Sequence, residues 1–332
     1  MPASPTATVN AAPESPGESL PIDAPGRSAL RRFLADRPAA LALAVLALYL
    51  LTALGGEIYS IACRRLDTTP VFSRGDMTCR LEPPSRQHWF GTDYQGRDVF
   101  WRAVHGTRTA VKIGLIASLL AAVIGVSLGL VAGYFGGWVD DLVVWLYSVF
   151  AAMPTLLFVL AFSLLLTRGF LIPGVAAAFR HLSTLTNTDP GMLALYLGIG
   201  LTGWVSLCRV VRGETLRLRE LPYIQAARAL GFSSFRIMTR HILPNLFHLV
   251  IIYFTLRFAY AVMTEVIVSY LGLGVQLEPS WGTMIADGQQ RLWRGIWWEV
   301  GGATALLFGL VLLGLCIPIQ VPALPLYIGL AE

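Results

Sequence analysis

Charge is scarce in this chain, and lysine is almost absent. Only 14% of its 332 residues are charged while 55% are hydrophobic, whereas an ordinary soluble domain is about a quarter charged. Lys112 is the only lysine, so arginine supplies nearly all of the positive charge behind the net +5. No basic stretch alternates with aromatic residues, which argues against a nucleic-acid partner. The composition predicts an integral membrane protein in contact with the lipid bilayer.

Several catalytic signatures are also missing. The chain has no Gly-x4-Gly-Lys-Ser/Thr phosphate loop, no Gly-x-Ser-x-Gly elbow and no His-Glu-x-x-His pair. We therefore expect no ATP site, no catalytic residue and no cofactor of its own. We expect no metal site either, because Cys63, Cys79 and the nearest histidine, His88, leave a zinc ligand set incomplete. A membrane-embedded enzyme and an ATP-independent channel or transporter stay open as remote alternatives.

Long apolar segments are what the chain does have. A membrane-spanning helix needs about 20 apolar residues, and six segments qualify. They are Pro38–Gly56, Val111–Gly133, Leu142–Leu166, Met192–Val211, Leu246–Leu271 and Gly301–Ile319. The sequence thus predicts an all-α polytopic membrane protein with six transmembrane helices in a domain of residues 37–320.

The distribution of arginine predicts the topology. Residues 1–36 are rich in Pro, Ala, Ser and Gly, which predicts a disordered tail. Arginines just before the first span favour a cytoplasmic N-terminus. Residues 57–110 then form an external, periplasmic loop, and residues 212–245 form a cytoplasmic loop. Pro318, Pro322 and Pro325 predict that the last span ends near Ile319, before an apolar tail of residues 321–332.

The 212–245 loop carries the most specific pattern of the chain. Its sequence runs Tyr-Ile-Gln-Ala-Ala-Arg-Ala-Leu-Gly from Tyr223 to Gly231, followed by His-Ile-Leu-Pro ending at Pro244. The alanines favour a compact helix, Gly231 permits a sharp turn, and Ser233 or Ser234 can cap a second helix. Pro244 is tolerated in the first turn of the next span. The pattern predicts two short helices joined by a hinge.

This loop resembles the coupling loop of permease subunits in ATP-binding-cassette importers. Their pattern is Glu-Ala-Ala, three residues, Gly, nine residues, Ile, one residue, Leu-Pro. The matching residues here are Gln225, Ala226, Ala227, Gly231, His241, Leu243 and Pro244. Gln225 stands in the position of the acid and His241 in that of the Ile, as in the branch that imports di- and oligopeptides. A generic amphipathic loop on the membrane surface is the alternative.

The resemblance implies a type I importer permease fold in a bacterial or archaeal cytoplasmic (inner) membrane. It implies as partners a second homologous permease, one or two ATPase subunits that bind ATP and Mg²⁺, and an extracytoplasmic substrate-binding protein. Arg228 and Phe232 would then lie at the edge of the ATPase groove. Di- or oligopeptides are the implied substrates, with nickel, glutathione or another small solute as alternatives.

Two external segments strengthen the resemblance. The run from Trp89 to Trp101, with Gly-Thr-Asp and Gly-Arg-Asp, resembles the second permease of peptide and nickel importers. Asp93 and Asp98 within it are expected to cap a helix at the outer surface. The loop after span five resembles a peptide-permease run, which makes Glu278, Trp281 and Asp287 candidate contacts for the binding protein. Lipid anchoring is the alternative for Trp281.

Polar groups inside the spans complete the candidates. Glu265 and Arg257, both in span five, are candidates for the translocation pathway, since charges inside a membrane call for a functional explanation. A buried structural carboxylate is the alternative for Glu265, and snorkelling or pairing across helices is the alternative for Arg257. Met153, next to Pro154, should kink or loosen span three. This would suit alternating access, although kinks are also common in static bundles. Cys63 and Cys79 lie in a compartment that permits disulfides and are predicted to pair.

Overall fold

The computed structural model describes residues 37–168, 173–185, 188–275 and 278–320. The predicted tails, 1–36 and 321–332, lie outside these residues. All regular structure within them is helical, apart from two isolated β-bridges in the connection before the second helix. The helices are α1 (Arg37–Arg65), α2 (Val99–Phe135), α3 (Gly137–Ala152), α4 (Thr155–Arg168), α5 (Pro173–Leu185), α6 (Pro190–Arg219), α7 (Pro222–Ala229), α8 (Ser234–Ile237), α9 (Leu243–Tyr270), α10 (Trp281–Leu292) and α11 (Trp298–Gln320).

Most of the predicted spans correspond to these helices. In the described part of the chain, four helical stretches are long and apolar enough to cross a membrane: Ala44–Arg65 within α1, α2, α6, and the continuous run from Ser234 to Tyr270. The bent pair α3–α4 makes a fifth. The sixth predicted segment lies in α11, which continues past Pro318 to Gln320. Its apolar stretch Trp298–Leu310 is shorter than the other spans.

The third predicted span is broken rather than straight. Its two halves, α3 and α4, meet at an angle of 89° at Met153 and Pro154. Pro154 has no backbone N–H to donate, so the helical hydrogen bonds of α3 cannot continue through it. The sequence correctly located this break, but the predicted kink is a near-perpendicular turn. The amphipathic α5 between this pair and α6 was not predicted.

Helices α2 and α6 form the centre of the bundle. Three glycines of α2, spaced four residues apart, lie against the α6 backbone. A Cβ added at Gly125 would lie 2.9 Å from the carbonyl oxygen of Trp204. A Cβ added at Gly129 would lie 2.8 Å from that of Cys208, and one at Gly133 would lie 2.8 Å from that of Arg212. Small residues at this spacing let two membrane helices approach closely. This contact holds α6 in place, and α6 leads directly into the 212–245 loop.

Candidate functional site

The loop between α6 and α9 folds as two short helices joined by a turn, as predicted. Helix α7 begins with Pro222 in its first turn, where a missing N–H costs nothing. The Ser233 hydroxyl accepts a hydrogen bond from the Arg236 N–H and so caps α8. Helix α8 passes into α9 through a π-helical turn, Met238–Ile242. In this turn the N–H of Leu243 donates to the carbonyl of Met238, five residues earlier.

Gly231 makes the turn between α7 and α8. Its φ is +79°, a left-handed conformation that glycine adopts without strain. Its N–H donates to the Arg228 carbonyl, and the N–H of Phe232 donates to the Ala227 carbonyl at 3.2 Å. These two bonds are the C-terminal capping pattern that most often carries glycine. A Cβ added at Gly231 would meet no atom within 4 Å, so within this chain only the backbone conformation favours glycine.

One face of the loop is anchored on the helical bundle. Ile224 and Ala227 of α7 are buried, as are Ile237 of α8 and Ile242 of the π-helical turn. They form one apolar cluster with side chains of α2, α6 and α9. Since burying a side chain of this size stabilises by roughly 1.5–3 kcal/mol, the loop has a defined position on the bundle.

The other face exposes large apolar side chains. Leu230 and Phe235 are 75% and 73% exposed, and Tyr223 and Phe232 are also exposed. The Arg236 guanidinium lies 5.6 Å from the centre of the Phe232 ring. The exposed tip, which we call the apolar knob, therefore consists of Tyr223, Leu230, Phe232 and Phe235. Single exposed apolar residues are ordinary, whereas grouped ones are typical of interaction sites.

The predicted coupling residues divide between these two faces. Gln225, Ala226, Arg228, Gly231, Phe232 and Pro244 are exposed, His241 is half-buried and Ala227 is buried. Arg228 lies over the ring of Tyr134 at 5.3 Å, and the His241 ring stacks on Phe232 at 6.1 Å. Ala227 therefore positions α7 rather than forming the exposed surface, whereas Phe232 belongs to the knob itself.

Two arginines fix the end of α6 from which the loop emerges. Arg212 binds both carboxylate oxygens of Asp140 on α3, one of them at 2.6 Å from Nη2. Arg219 Nη1 donates to the Gly133 carbonyl at the end of α2 at 3.0 Å. Bidentate arginine–carboxylate pairs are geometrically specific. These contacts tie the end of α6 to α2 and α3.

The two charged residues of α9 have different environments. Glu265 is completely buried, and its Oε1 accepts a hydrogen bond from the Ser269 hydroxyl at 2.8 Å. Arg257 is half-buried, with its guanidinium 4.8 Å from the centre of the Tyr260 ring. Within this chain, then, Glu265 faces the interior of the fold, and Arg257 is the charge of α9 that reaches its surface. Met153 is exposed at the α3–α4 bend.

Comparison with known proteins identifies this arrangement. Residues 125–324 match the family described as binding-protein-dependent transport system inner membrane components. The chain belongs to this family. The match includes the 212–245 loop, the α3–α4 bend and all of α9, so the resemblance inferred from the motifs is confirmed.

Curated relatives have peptide-transport names. The permease is 31% identical over 293 residues to the oligopeptide transport system permease protein of Bacillus subtilis, covering 87% of this chain and 86% of that one. It is 35% identical over 228 residues to the dipeptide transport system permease protein of the same species, covering 68% and 64%. A glutathione transport system permease protein of Pectobacterium atrosepticum is 32% identical over 212 residues, covering 64% and 63%. The matches span less than two thirds of the latter two proteins.

The far end of the permease corrects the assignment of Trp281. Its side chain is fully buried, its indole N–H donates to the Ala103 carbonyl at 2.9 Å, and its ring fills the space beside Gly106. Trp281 is therefore a packing residue between α10 and α2 and cannot contact a binding protein or lipid in this conformation. Glu278 is occupied by an ion pair with Arg108, and Asp287 is half-buried beside a small cavity.

The cysteine prediction is also wrong for this structure, because Cys63 and Cys79 are free thiols. Cys63 is buried on the last turns of α1, whereas Cys79 ends a separate 3₁₀ turn, 3.7 Å from the Thr78 hydroxyl. Hydrogen bonds order this loop instead. The backbone N–H and hydroxyl of Thr78 both donate to Asp76, which lowers the pKa of that carboxyl.

Of the two predicted helix caps, one is confirmed. Asp98 accepts from the N–H groups of Phe100 and Trp101 at the start of α2. Asp93 does not cap the helix. Its carboxylate accepts from the Arg97 backbone N–H at 2.9 Å and from Arg97 Nε at 2.7 Å, which closes the preceding turn.

Some structural residues were missed by sequence reasoning. Arg108 is 3% exposed and bridges Glu57 of α1 at 2.5 Å and Glu278 at 2.6 Å. The sequence signal for a structural role of Arg108 was its position just before an apolar span. Its helix is longer than the membrane is thick. The glycine stripe of α2 was visible as two consecutive Gly-x3-Gly steps. The Asp140–Arg212 pair had no local signal, because its members are 72 positions apart.

Proposed function

We propose that this permease forms half of the translocation pathway of an ATP-driven importer for di- or oligopeptides. The similarity to dipeptide and oligopeptide permeases supports the substrate class. The relative that is named for glutathione, itself a small peptide, supports an alternative of the same chemical class. A second, homologous permease would complete the pathway, and a binding protein would deliver the substrate at the end opposite the apolar knob.

The single observation that carries this proposal is the apolar knob. Two short helices hold exposed Leu230, Phe232 and Phe235 at the tip of a loop whose other face is locked onto α2 and α6. A rigid apolar projection of this shape is suited to a groove on another protein. Because the chain has no phosphate loop, ATP and Mg²⁺ would be bound by ATPase subunits that receive the knob. The N-terminus would then be cytoplasmic.

The coupling mechanism follows from how the loop is anchored. Closure of the ATPases on ATP would displace α7 and α8, and the Arg219–Gly133 and Arg212–Asp140 contacts would pass the displacement to α2 and α3. The α3–α4 bend at Met153 could change its angle without breaking further backbone hydrogen bonds, since the break already exists. Access would then alternate between the two sides of the membrane.

Co-purification tests the assembly. We expect the tagged permease, extracted from its own membranes in mild detergent, to bring down a second permease and one or two ATPases, as identified by mass spectrometry. Phe235→Glu should weaken ATPase binding on the order of thirtyfold, as loss of a binding hot spot does, while the second permease stays bound. Trp293→Gln is the matched control, since Trp293 is 93% exposed but lies between α10 and α11. A chain that purifies alone from cells with intact ATPases would contradict the proposal.

A further inference from the structure

Arg257 lies too deep in α9 to reach water along its own helix. It is 14 residues from Leu243 and 13 from Tyr270, which at 1.5 Å per residue is about 20 Å from either end. That distance exceeds the length of an arginine side chain, so the guanidinium cannot reach either end of the helix. A charge at this depth normally faces a water-filled cavity or a charged partner.

Arg257 has no counter-ion among the described residues. No carboxylate of the described residues lies within ion-pairing distance of it, although Arg64, Arg97, Arg108, Arg212 and Arg291 all have such a partner. The contact with the Tyr260 ring compensates only part of the cost of desolvating a guanidinium. The described part of the chain therefore leaves the charge of Arg257 without an ionic partner.

The fold nevertheless makes room for this guanidinium. A Cβ at Gly203 of α6 would lie 2.6 Å from Nη2 and 3.2 Å from Nε of Arg257. Glycine at this position thus lets the charged group rest on the α6 backbone. The arginine is held between α6 and α9 rather than extending freely from the surface.

Polar side chains lie near Arg257 on α6 and α9. Tyr260 is 40% exposed, Ser206 is exposed and Thr202 is half-buried on the neighbouring turns of α6 and α9. By contrast, α1 and α2 expose leucine, isoleucine and valine, the composition that lipid favours. These outward aliphatic residues are Leu48, Leu51, Leu54, Ile58, Leu115, Leu119 and Val123.

We propose that the polar face of Arg257, Tyr260, Ser206 and Thr202 lines the translocation pathway, and that Arg257 binds the C-terminal carboxylate of the transported peptide. This rests on the proposed function. The C-terminal carboxylate is the one anionic group that every unmodified peptide carries, and the planar guanidinium fork matches it with two parallel hydrogen bonds. An uncompensated positive charge in the pathway also disfavours a divalent cation such as nickel as the substrate.

The test compares a peptide that has a free C-terminus with its C-terminal amide in proteoliposomes that contain the complete transporter and its binding protein. The measured quantity is the acid-to-amide uptake ratio of a variant divided by that of the unaltered complex. Preferences of the binding protein cancel in this quotient. Arg257→Gln should lower it on the order of tenfold, the value of one charged hydrogen bond, and leave amide uptake largely intact. Arg257→Lys should preserve much of the preference. Arg180→Gln removes an exposed arginine of α5 and should leave the quotient at one.

Other outcomes would overturn the inference. Equal loss of acid and amide uptake in an assembled Arg257→Gln complex would show that Arg257 does not recognise the carboxylate. Failure of that variant to assemble would assign the charge to a carboxylate of the second permease. If the unaltered complex imports neither peptide, the proposed function fails, and this inference fails with it.

Thiol labelling tests the pathway without altering Arg257. Ser206→Cys and Tyr260→Cys should react with a charged, membrane-impermeant reagent above the background of the native cysteines. Leu119→Cys is the control and should not react. Leu119 is exposed on α2, and it lies at a similar depth because the adjacent Leu120 packs against Gly200 of α6. Labelling of all three, or of Leu119→Cys alone, would contradict a polar pathway at this face.

Discussion

Substitution of Gly231 can separate the two reasons for glycine at the tip of the loop. One reason is conformational, because φ is +79° and an ordinary L-residue pays roughly 1–2 kcal/mol there. The other is steric, because a side chain would occupy the surface that we propose enters the ATPase groove. Asparagine adopts left-handed conformations more readily than other non-glycine residues, and a Cβ at this position meets nothing within 4 Å. Gly231→Asn therefore adds a side chain with little effect on the isolated permease.

We expect Gly231→Asn to melt within about 2 °C of the unaltered permease, since its strain is below about 1 kcal/mol. It should nevertheless lose ATPase co-purification and peptide uptake by at least about tenfold, because an inserted side chain overpacks a fitted contact by roughly 1–3 kcal/mol. Gly295→Asn is the matched control. Its φ is +81°, its surroundings are also empty, and it lies between α10 and α11. Full ATPase binding by Gly231→Asn would refute the idea that the tip enters a groove. If Gly231→Asn bound the ATPases fully while Gly231→Ala bound them poorly, only the conformational reason for glycine would remain.

Three further substitutions test the packing. Gly129→Ala should destabilise the permease by about 1–3 kcal/mol in a thermal melt, because the added Cβ would clash with the α6 backbone. Gly213→Ala is the control and should not destabilise it, because a Cβ there meets open space. Arg108→Gln should lower the free energy of unfolding by about 3–5 kcal/mol, because it leaves two carboxylates without their partner. Arg64→Gln, at a half-exposed ion pair, should lower it by only about 0–1 kcal/mol. Glu265→Gln should keep assembly and uptake within about twofold, since an amide can replace the buried carboxylate as acceptor. Loss of uptake with normal assembly would instead place Glu265 in the pathway.

Local features of the fold were predictable where a single residue determines them. Gly231 determines the turn, Ser233 the cap of α8, and Pro154 the break between α3 and α4. In each case one chemical property, such as a missing Cβ or a missing N–H, leaves few conformations available. The family resemblance was predictable for the same reason, because its motifs are made of these residues.

Long-range contacts were not predictable from one sequence. Trp281 resembled an interfacial anchor, yet it fills the space beside Gly106, 175 positions earlier. An aromatic residue next to a loop has the same local pattern whether it faces lipid or a glycine on another helix. The free thiols of Cys63 and Cys79 show the same limit, because a shared compartment permits a disulfide but does not bring two thiols together.

The contrast between Glu265 and Arg257 shows how the fold assigns roles to charges that the sequence could not distinguish. Both lie in α9, and both called for a functional explanation on the same ground. Glu265 is enclosed by its own chain and hydrogen-bonded to Ser269, so it contributes no accessible negative charge. Arg257 is half-buried and rests on Gly203, near the exposed side chains of Ser206 and Tyr260, so we propose that its positive charge is available to a ligand. If this face lines the pathway, its selectivity favours carboxylates, and the same charge that attracts the end of a peptide excludes metal cations.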